Sequence, residues 1–172
     1  MLEDLITLSR GFLTSKNQSY QRYLLSQLST SIRCMILLGQ RGVGKTTTLI
    51  QALRNFVEGN CLDPRILYVP VDHFQLRGIS LYEIAEAFSN LGGELIAFDE
   101  IHKYQTWSQE LKSIYDTFPK LKVIASGSSA LQVHGGSHDL SRRCIIYKLY
   151  GLSFREYLEL NSSSLFHCRN GG

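Results

Sequence analysis

Apolar positions along the chain fall into two alternating patterns. Five short, nearly continuous apolar runs stand out: Cys34 to Leu38, Ile66 to Val71, Glu94 to Phe98, Leu121 to Ala125 and Cys144 to Leu149. Runs of this length without polar alternation are the mark of strands buried on both faces, as in a parallel sheet covered by helices. Between them the period lengthens. Leu49, Ile50, Ala52, Leu53, Phe56 and Val57 recur at helical spacing and stop before Gly59, and Trp107, Leu111, Ile114, Tyr115 and Phe118 form a second stripe that ends at Pro119. Ser80 with Glu83, Thr106 with Gln109 and Ser153 with Glu156 have capping-box spacing and predict three helix starts. Strands alternating with helices predict a parallel α/β sheet flanked on both faces. Pro70 cannot donate to a sheet ladder, so the second strand is expected at an edge.

Periodicity is lost after Leu160. Residues 161–172, NSSSLFHCRNGG, are rich in Ser, Asn and Gly and read as an irregular or truncated tail, leaving residues 1–160 as one core domain. The length of 172 residues suits a single domain, and 44% apolar residues are enough to fill its core. Only 19% are charged, which argues against a disordered chain.

The charge balance is 18 Lys and Arg against 15 Asp and Glu, a net +3, with no basic run longer than Arg142-Arg143. This makes no electrostatic case for nucleic acid, although a nucleic-acid or protein partner remains open. No stretch is long and apolar enough to span a bilayer, and the opening MLEDLITLSRGFL carries acids where a secretory leader carries Lys or Arg, so a cytoplasmic protein with no membrane partner is expected. The four cysteines, Cys34, Cys61, Cys144 and Cys168, match no metal-binding spacing and read as reduced packing residues.

Chemistry concentrates at two places. Gly39-Gln40-Arg41-Gly42-Val43-Gly44-Lys45-Thr46 fits GxxxxGK[ST] directly after a buried strand and at the opening of a helix, with Thr47 next in line. A Gly-rich turn of this kind brings backbone N–H groups close to phosphate oxygens, and the helix N-terminus adds positive potential. Lys45 is then placed to reach the β- and γ-phosphates, and the Thr46 hydroxyl to ligate Mg2+. Leu95-Ile96-Ala97-Phe98-Asp99-Glu100 is a hydrophobic strand ending in two acids. Asp99 is assigned to the metal and Glu100 to polarising the attacking water.

Softer signals surround this pair. Ser126-Gly127-Ser128-Ser129 places hydroxyls at the same sheet edge as the glycine loop, with a plain Ser/Gly turn as the alternative. Arg142 or Arg143 could deliver a guanidinium to a γ-phosphate, most simply that of a neighbouring subunit, or could be a solvated basic pair. His134 and His138 are separated by Gly135-Gly136 and read as loop residues; Asp72-His73 reads as a turn; and His102 has no role that the reaction requires.

Taken in order, GQRGVGKT, LIAFDEIHK, TWSQELKSIYD, VIASGSSA and LSRRCIIYKLYGLSFREYL resemble the prokaryotic AAA+ ATPases of the archaeal-ATPase-like type. The resemblance covers roughly residues 17–160. It implies a three-layer P-loop NTPase fold with a five-stranded parallel sheet in the order 5-1-4-3-2, ATP and Mg2+ as cofactors, and hydrolysis of ATP. It implies Lys45 and Thr46 as the Walker A pair, Asp99 and Glu100 as the Walker B pair, Ser128 as the polar sensor and Arg143 as an arginine finger. The sequence departs from the family pattern in three places: Arg142 stands for a Gly, Ser126 for a Thr and Gly151 for a Pro. In this family a helical lid with a second sensor arginine, then winged-helix and nuclease-like segments, follow the AAA domain; because the sequence stops soon after the fifth strand, they are expected to be absent from it. Two rival functions stay open beside ATP hydrolysis. One is a nucleotide-gated interaction module without turnover; the other is a small-molecule kinase, which would need an Arg-rich lid that the sequence lacks. A GTPase is disfavoured because no NKxD-like segment occurs.

Overall fold

In a computed structural model the chain is described over residues 2–16, 18–28, 32–128, 140 and 142–167. Two helices open it, α1 (Leu2–Ser15) and the short α2 (Tyr23–Gln27). The remainder alternates as the hydrophobic pattern predicts: β1 (Cys34–Gly39), α3 (Lys45–Phe56), β2 (Ile66–Pro70), α4 (Leu81–Asn90), β3 (Leu95–Asp99), α5 (Trp107–Thr117), β4 (Lys122–Ser128), β5 (Ile145–Leu149) and α6 (Phe154–His167). The five strands form one all-parallel sheet in the order β2-β3-β4-β1-β5, the expected order read from the other side.

Alternate residues of each strand feed two cores. On one face Met35, Tyr68, Ala97 and Ile124 pack against Leu49, Ile50 and Leu53 of α3. On the other, Ile36, Val69, Phe98 and Val123 meet Ile84 and Phe88 of α4 and Leu111 and Ile114 of α5. This double burial explains the unbroken apolar runs.

The edge position of β2 agrees with Pro70. The outward-facing amide of Tyr68 on that edge does not face solvent, because it donates to the buried Ser9 Oγ of α1 at 2.8 Å. A helix laid along the edge thus covers a row of backbone groups that would otherwise invite pairing with another chain.

The helix starts follow the capping signals unevenly. Ser80 and Glu83 form both arms of a capping box, and Ser153 and Glu156 do the same at α6, with the Ser153 amide donating to Glu156 Oε2 at 2.9 Å. Thr106 makes no side-chain cap; its hydroxyl donates to Glu110 Oε1 at 3.1 Å instead. The α6 helix also runs on to His167, past the loss of periodicity at Leu160, since extending a nucleated helix fixes only one residue per bond gained.

A further expectation, that of four reduced thiols, is overturned. Cys34 and Cys144 are joined as a disulfide rather than held as separate thiols. The pairing follows from the sheet: β5 lies parallel beside β1 with Met35 opposite Ile145, so Cys34, which opens β1, and Cys144, just ahead of β5, face each other with Cα atoms 4.5 Å apart. Cys61 carries a free thiol, and Cys168 lies outside the described residues, as do Ser129, His134 and His138.

Candidate functional site

The parallel sheet places the carboxyl ends of β1, β3 and β4 at one edge, where ligands bind in open α/β sheets. The glycine loop leaves β1 there. Gly42 and Gly44 adopt φ of +84° and +97°, a region that side chains rarely tolerate, and this turns the backbone into the start of α3. Gly39 answers a different demand, because a Cβ on it would lie 2.5 Å from the Leu149 carbonyl oxygen of β5. The first backbone bond of α3 is the Thr48 amide to the Gly44 carbonyl at 2.9 Å. The amides of Lys45, Thr46 and Thr47 therefore come before that ladder and remain available to an anion at the positive end of the helix.

Beside the loop is a cavity of about 670 Å3, within the range of small-molecule sites. Its walls bring together Lys45, Thr46, Thr47, Glu100 and Ser128, five residues that the sequence singles out. Lys45 is buried, and its ammonium donates to the Gly39 and Gln40 carbonyls at 3.1 and 3.0 Å while lying 3.7 Å from Glu100 Oε1. This tether aims the charge at the space between the loop and Glu100. Arg41 and Gly42 line the same cavity.

Asp99 is buried at the end of β3 and collects hydroxyl donors. Thr46 Oγ1 donates to Oδ2 at 2.6 Å, Tyr68 Oη donates to the same oxygen at 2.7 Å, and Ser126 Oγ donates to Oδ1. Burial pushes the Tyr68 hydroxyl well above its ordinary pKa, and the adjacent Asp99 charge pushes it further, so it stays a donor. The oxygen-only set formed by Thr46 and Asp99 fits a hard cation such as Mg2+.

Glu100 is held by its backbone. Its φ is +57°, one of two positive values at non-glycine residues among those described, and its amide donates to Ser126 Oγ at 3.0 Å. A tight 3-10 turn over Ile101–Lys103 follows, closed by the Lys103 amide on the Glu100 carbonyl at 2.9 Å. That turn swings His102 back into the cavity, where Nε2 lies 3.4 Å from Glu100 Oε2 and Nδ1 accepts from the Ser128 amide at 3.4 Å. The sequence gives no role to His102, nor to Asp72 and Lys103, which also line the cavity, nor to the Tyr68 hydroxyl on Asp99, and it marks Ser126 only as one of several hydroxyls at the sheet edge. The available signal was weak: an imidazole two residues after an acid pair, and a Tyr in the middle of an apolar run.

Arg143 stands apart. It forms a two-point ion pair with Asp116 of α5, both contacts at 2.9 Å, just ahead of β5. Strand register places it some six residues, or roughly 20 Å, below the level of Gly39, away from the cavity beside the glycine loop of its own chain. Arg142 beside it is exposed.

A second polar cluster backs the glycine loop. Arg22, ahead of α2, donates to the Val43 carbonyl at 2.9 Å, to the Tyr150 and Gly151 carbonyls at 3.0 and 3.1 Å, and to Glu156 of α6 at 2.7 Å. Glu156 is buried. Burial alone would raise its pKa, but the Arg22 guanidinium, the Ser153 amide and hydroxyl and the Tyr23 amide outweigh this and bring it down to about 2.

Comparison with known proteins agrees with this geometry. Residues 31–158 match the family described as AAA domain. An uncharacterized protein of Methanocaldococcus jannaschii is 35% identical over 136 residues, covering 75% of this chain and 28% of the relative, so the chain spans little more than a quarter of that protein. Among solved structures, DnaA from Aquifex aeolicus bound to AMPPCP is similar with a TM-score of 0.59 at 18% identity, over 97% of this chain and 55% of that one. C. elegans PCH-2 is similar at 0.54 and 17% identity, over 99% and 48% of the two chains, and domain III of Thermotoga maritima DnaA at 0.55 and 16%, over 88% and 74%. The structural likenesses speak to the fold; the match over residues 31–158, with the P-loop geometry inside it, shows that the chain belongs to the AAA domain family.

Proposed function

We propose that this chain binds Mg-ATP and hydrolyses it to ADP and phosphate. The observation that carries the reading is the convergence of Lys45, Thr46 and Glu100 from two separate elements on one cavity at the carboxyl edge of the sheet, with the buried Asp99 bonded to Thr46 behind it. Lys45 and the loop amides would hold the β- and γ-phosphate oxygens and stabilise charge as the γ-phosphoryl group leaves. Thr46 and Asp99 would hold Mg2+, which when bound neutralises phosphate charge. Glu100 would orient water on the far side of the γ-phosphate, and Ser128 would contact that phosphate from β4. The likeness to AMPPCP-bound DnaA agrees with an adenine nucleotide.

Arg143 would act in trans. Its place far from the phosphate cavity of its own chain suits a neighbour's γ-phosphate better, which implies a homo-oligomer. Within the family, the motif order favours the archaeal-ATPase-like type, in which the cycle drives a further domain or partner. Among the described residues no helix is long and apolar enough to cross a membrane.

Lys45→Ala tests the binding half directly. Loss of Mg-ATP affinity by at least about tenfold, the size of one charge-assisted contact of roughly 1.4 kcal/mol or more, is expected. Unchanged Mg-ATP affinity in a folded Lys45→Ala chain would overturn the reading.

A further inference from the structure

We infer that His102 is a positioning residue that fixes the Glu100 carboxylate by tying it to the end of β4. The inference rests on the ATPase reading above and adds a residue that the family motifs do not require. Its basis is the hydrogen-bond direction at the two ring nitrogens. The Ser128 backbone amide can only donate, so Nδ1 accepts from it, at 3.4 Å. The ring proton then sits on Nε2, which faces Glu100 Oε2 at 3.4 Å. One tautomer thus serves both contacts, and the ring bridges β4 to the carboxylate.

The bridge answers a specific weakness in the site. Glu100 projects from a backbone in the left-handed region with its side chain about one-third exposed, and Lys45 lies 3.7 Å from its other carboxylate oxygen. Without a second partner the carboxylate would swing toward that ammonium, the one charged group within ion-pair distance of it among the described residues. His102 engages Oε2 and leaves Oε1 toward Lys45, which sets the plane of the group against the cavity. Because its anchor is the amide of Ser128, a displacement of β4 by a ligand at Ser128 would move the carboxylate with it. Sensing of the nucleotide at β4 and placement of the base would then be one mechanical unit.

The test is steady-state phosphate release from Mg-ATP by the full chain, with ATP affinity and thermal unfolding measured in parallel. His102→Ala removes the ring, and His102→Leu removes both polar contacts while keeping its bulk, so whichever folds decides the outcome. The expected result is a kcat at least about tenfold below wild type, since a misplaced general base forfeits part of the roughly 10²–10⁴-fold it supplies, with KM and ATP affinity within about twofold. His102→Gln, which retains one acceptor and one donor, should recover most of the loss. A kcat within about twofold of wild type in the folded Ala or Leu variant would overturn the inference, as would a loss confined to KM, or a Gln variant as impaired as Leu. These results differ from failure of the underlying reading: a wild-type chain that binds Mg-ATP and releases no phosphate at any concentration removes hydrolysis itself, and the role of His102 with it.

Discussion

The Thr46 hydroxyl and the Asp99 carboxylate meet at 2.6 Å, joining the first turn of α3 to the end of β3 beside the cavity that Thr46 lines. Each comes from a different strand–loop unit, and neither residue alone offers a cation more than one oxygen ligand group. Thr46→Val should therefore weaken ATP binding chiefly in the presence of Mg2+. The expected loss is at least about tenfold with Mg2+, against a change of about twofold or less in EDTA. Paired titrations of the variant and the wild type with and without Mg2+ check this, and equal losses in both conditions would contradict it.

Arg22 and Glu156 give a prediction about pH. The Glu156 carboxyl falls from an ordinary 4.5 to about 2 in the folded chain, so the folded state holds its proton less tightly than the unfolded state does. The stability this supplies is complete above about pH 4.5 and is lost as the pH drops toward 2. Glu156→Gln should lower unfolding stability at neutral pH by about 2 kcal/mol, because it leaves the largely buried Arg22 guanidinium without its counter-charge. The gap between variant and wild type should close as the pH falls through that window. Denaturant unfolding at a series of pH values measures it; a gap that stays constant would show that the pair is not what links α6 to the glycine loop.

The trans role of Arg143 predicts a selective loss. Arg143→Ala should leave ATP affinity within about twofold and abolish the part of turnover that rises with protein concentration, a drop on the scale of an arginine finger, roughly 10³-fold or more. Phosphate release at dilute and concentrated protein reads this out, and restoration by mixing with Glu100→Gln chains, which still present Arg143 to a neighbour, would support it further. A variant whose turnover stays concentration-dependent would place the finger elsewhere.

Much of the fold was legible because the sheet is buried on both faces. β1 and β3 admit no polar residue before their last positions, and the glycine loop and acid pair stand out where those runs end. The first helix was not legible for an equally physical reason. Its buried stripe is Leu5, Ser9 and Leu13, and the polar residue at its centre is there to accept the edge amide of Tyr68, which breaks the apolar period. The Cys34–Cys144 bond spans 110 residues and becomes visible only once β1 and β5 are known to be neighbours in register.

The site shows the same division. Lys45, Thr46, Asp99 and Glu100 belong to spaced motifs whose chemistry is local to each segment, and they could be read along the chain. The partners that hold them come from elsewhere in the sequence. Ser126 supports both Asp99 and the Glu100 amide, Tyr68 caps Asp99 from the edge strand, and His102 depends on a single 3-10 turn to face its own neighbour. No spacing rule in one sequence encodes contacts that depend on the β3–β4 pairing.

The central claim is that this cavity cleaves ATP with Glu100 as the group that places water. The most direct measurement is steady-state phosphate release from Mg-ATP across a range of protein concentrations, with Glu100→Gln as the control. The account predicts a rate per chain that climbs with concentration and falls by at least about 10²-fold in Glu100→Gln while ATP binding persists. Measurable ATP binding with no phosphate release at any concentration, unaltered by Glu100→Gln, would contradict it and leave a nucleotide-gated binding module in its place.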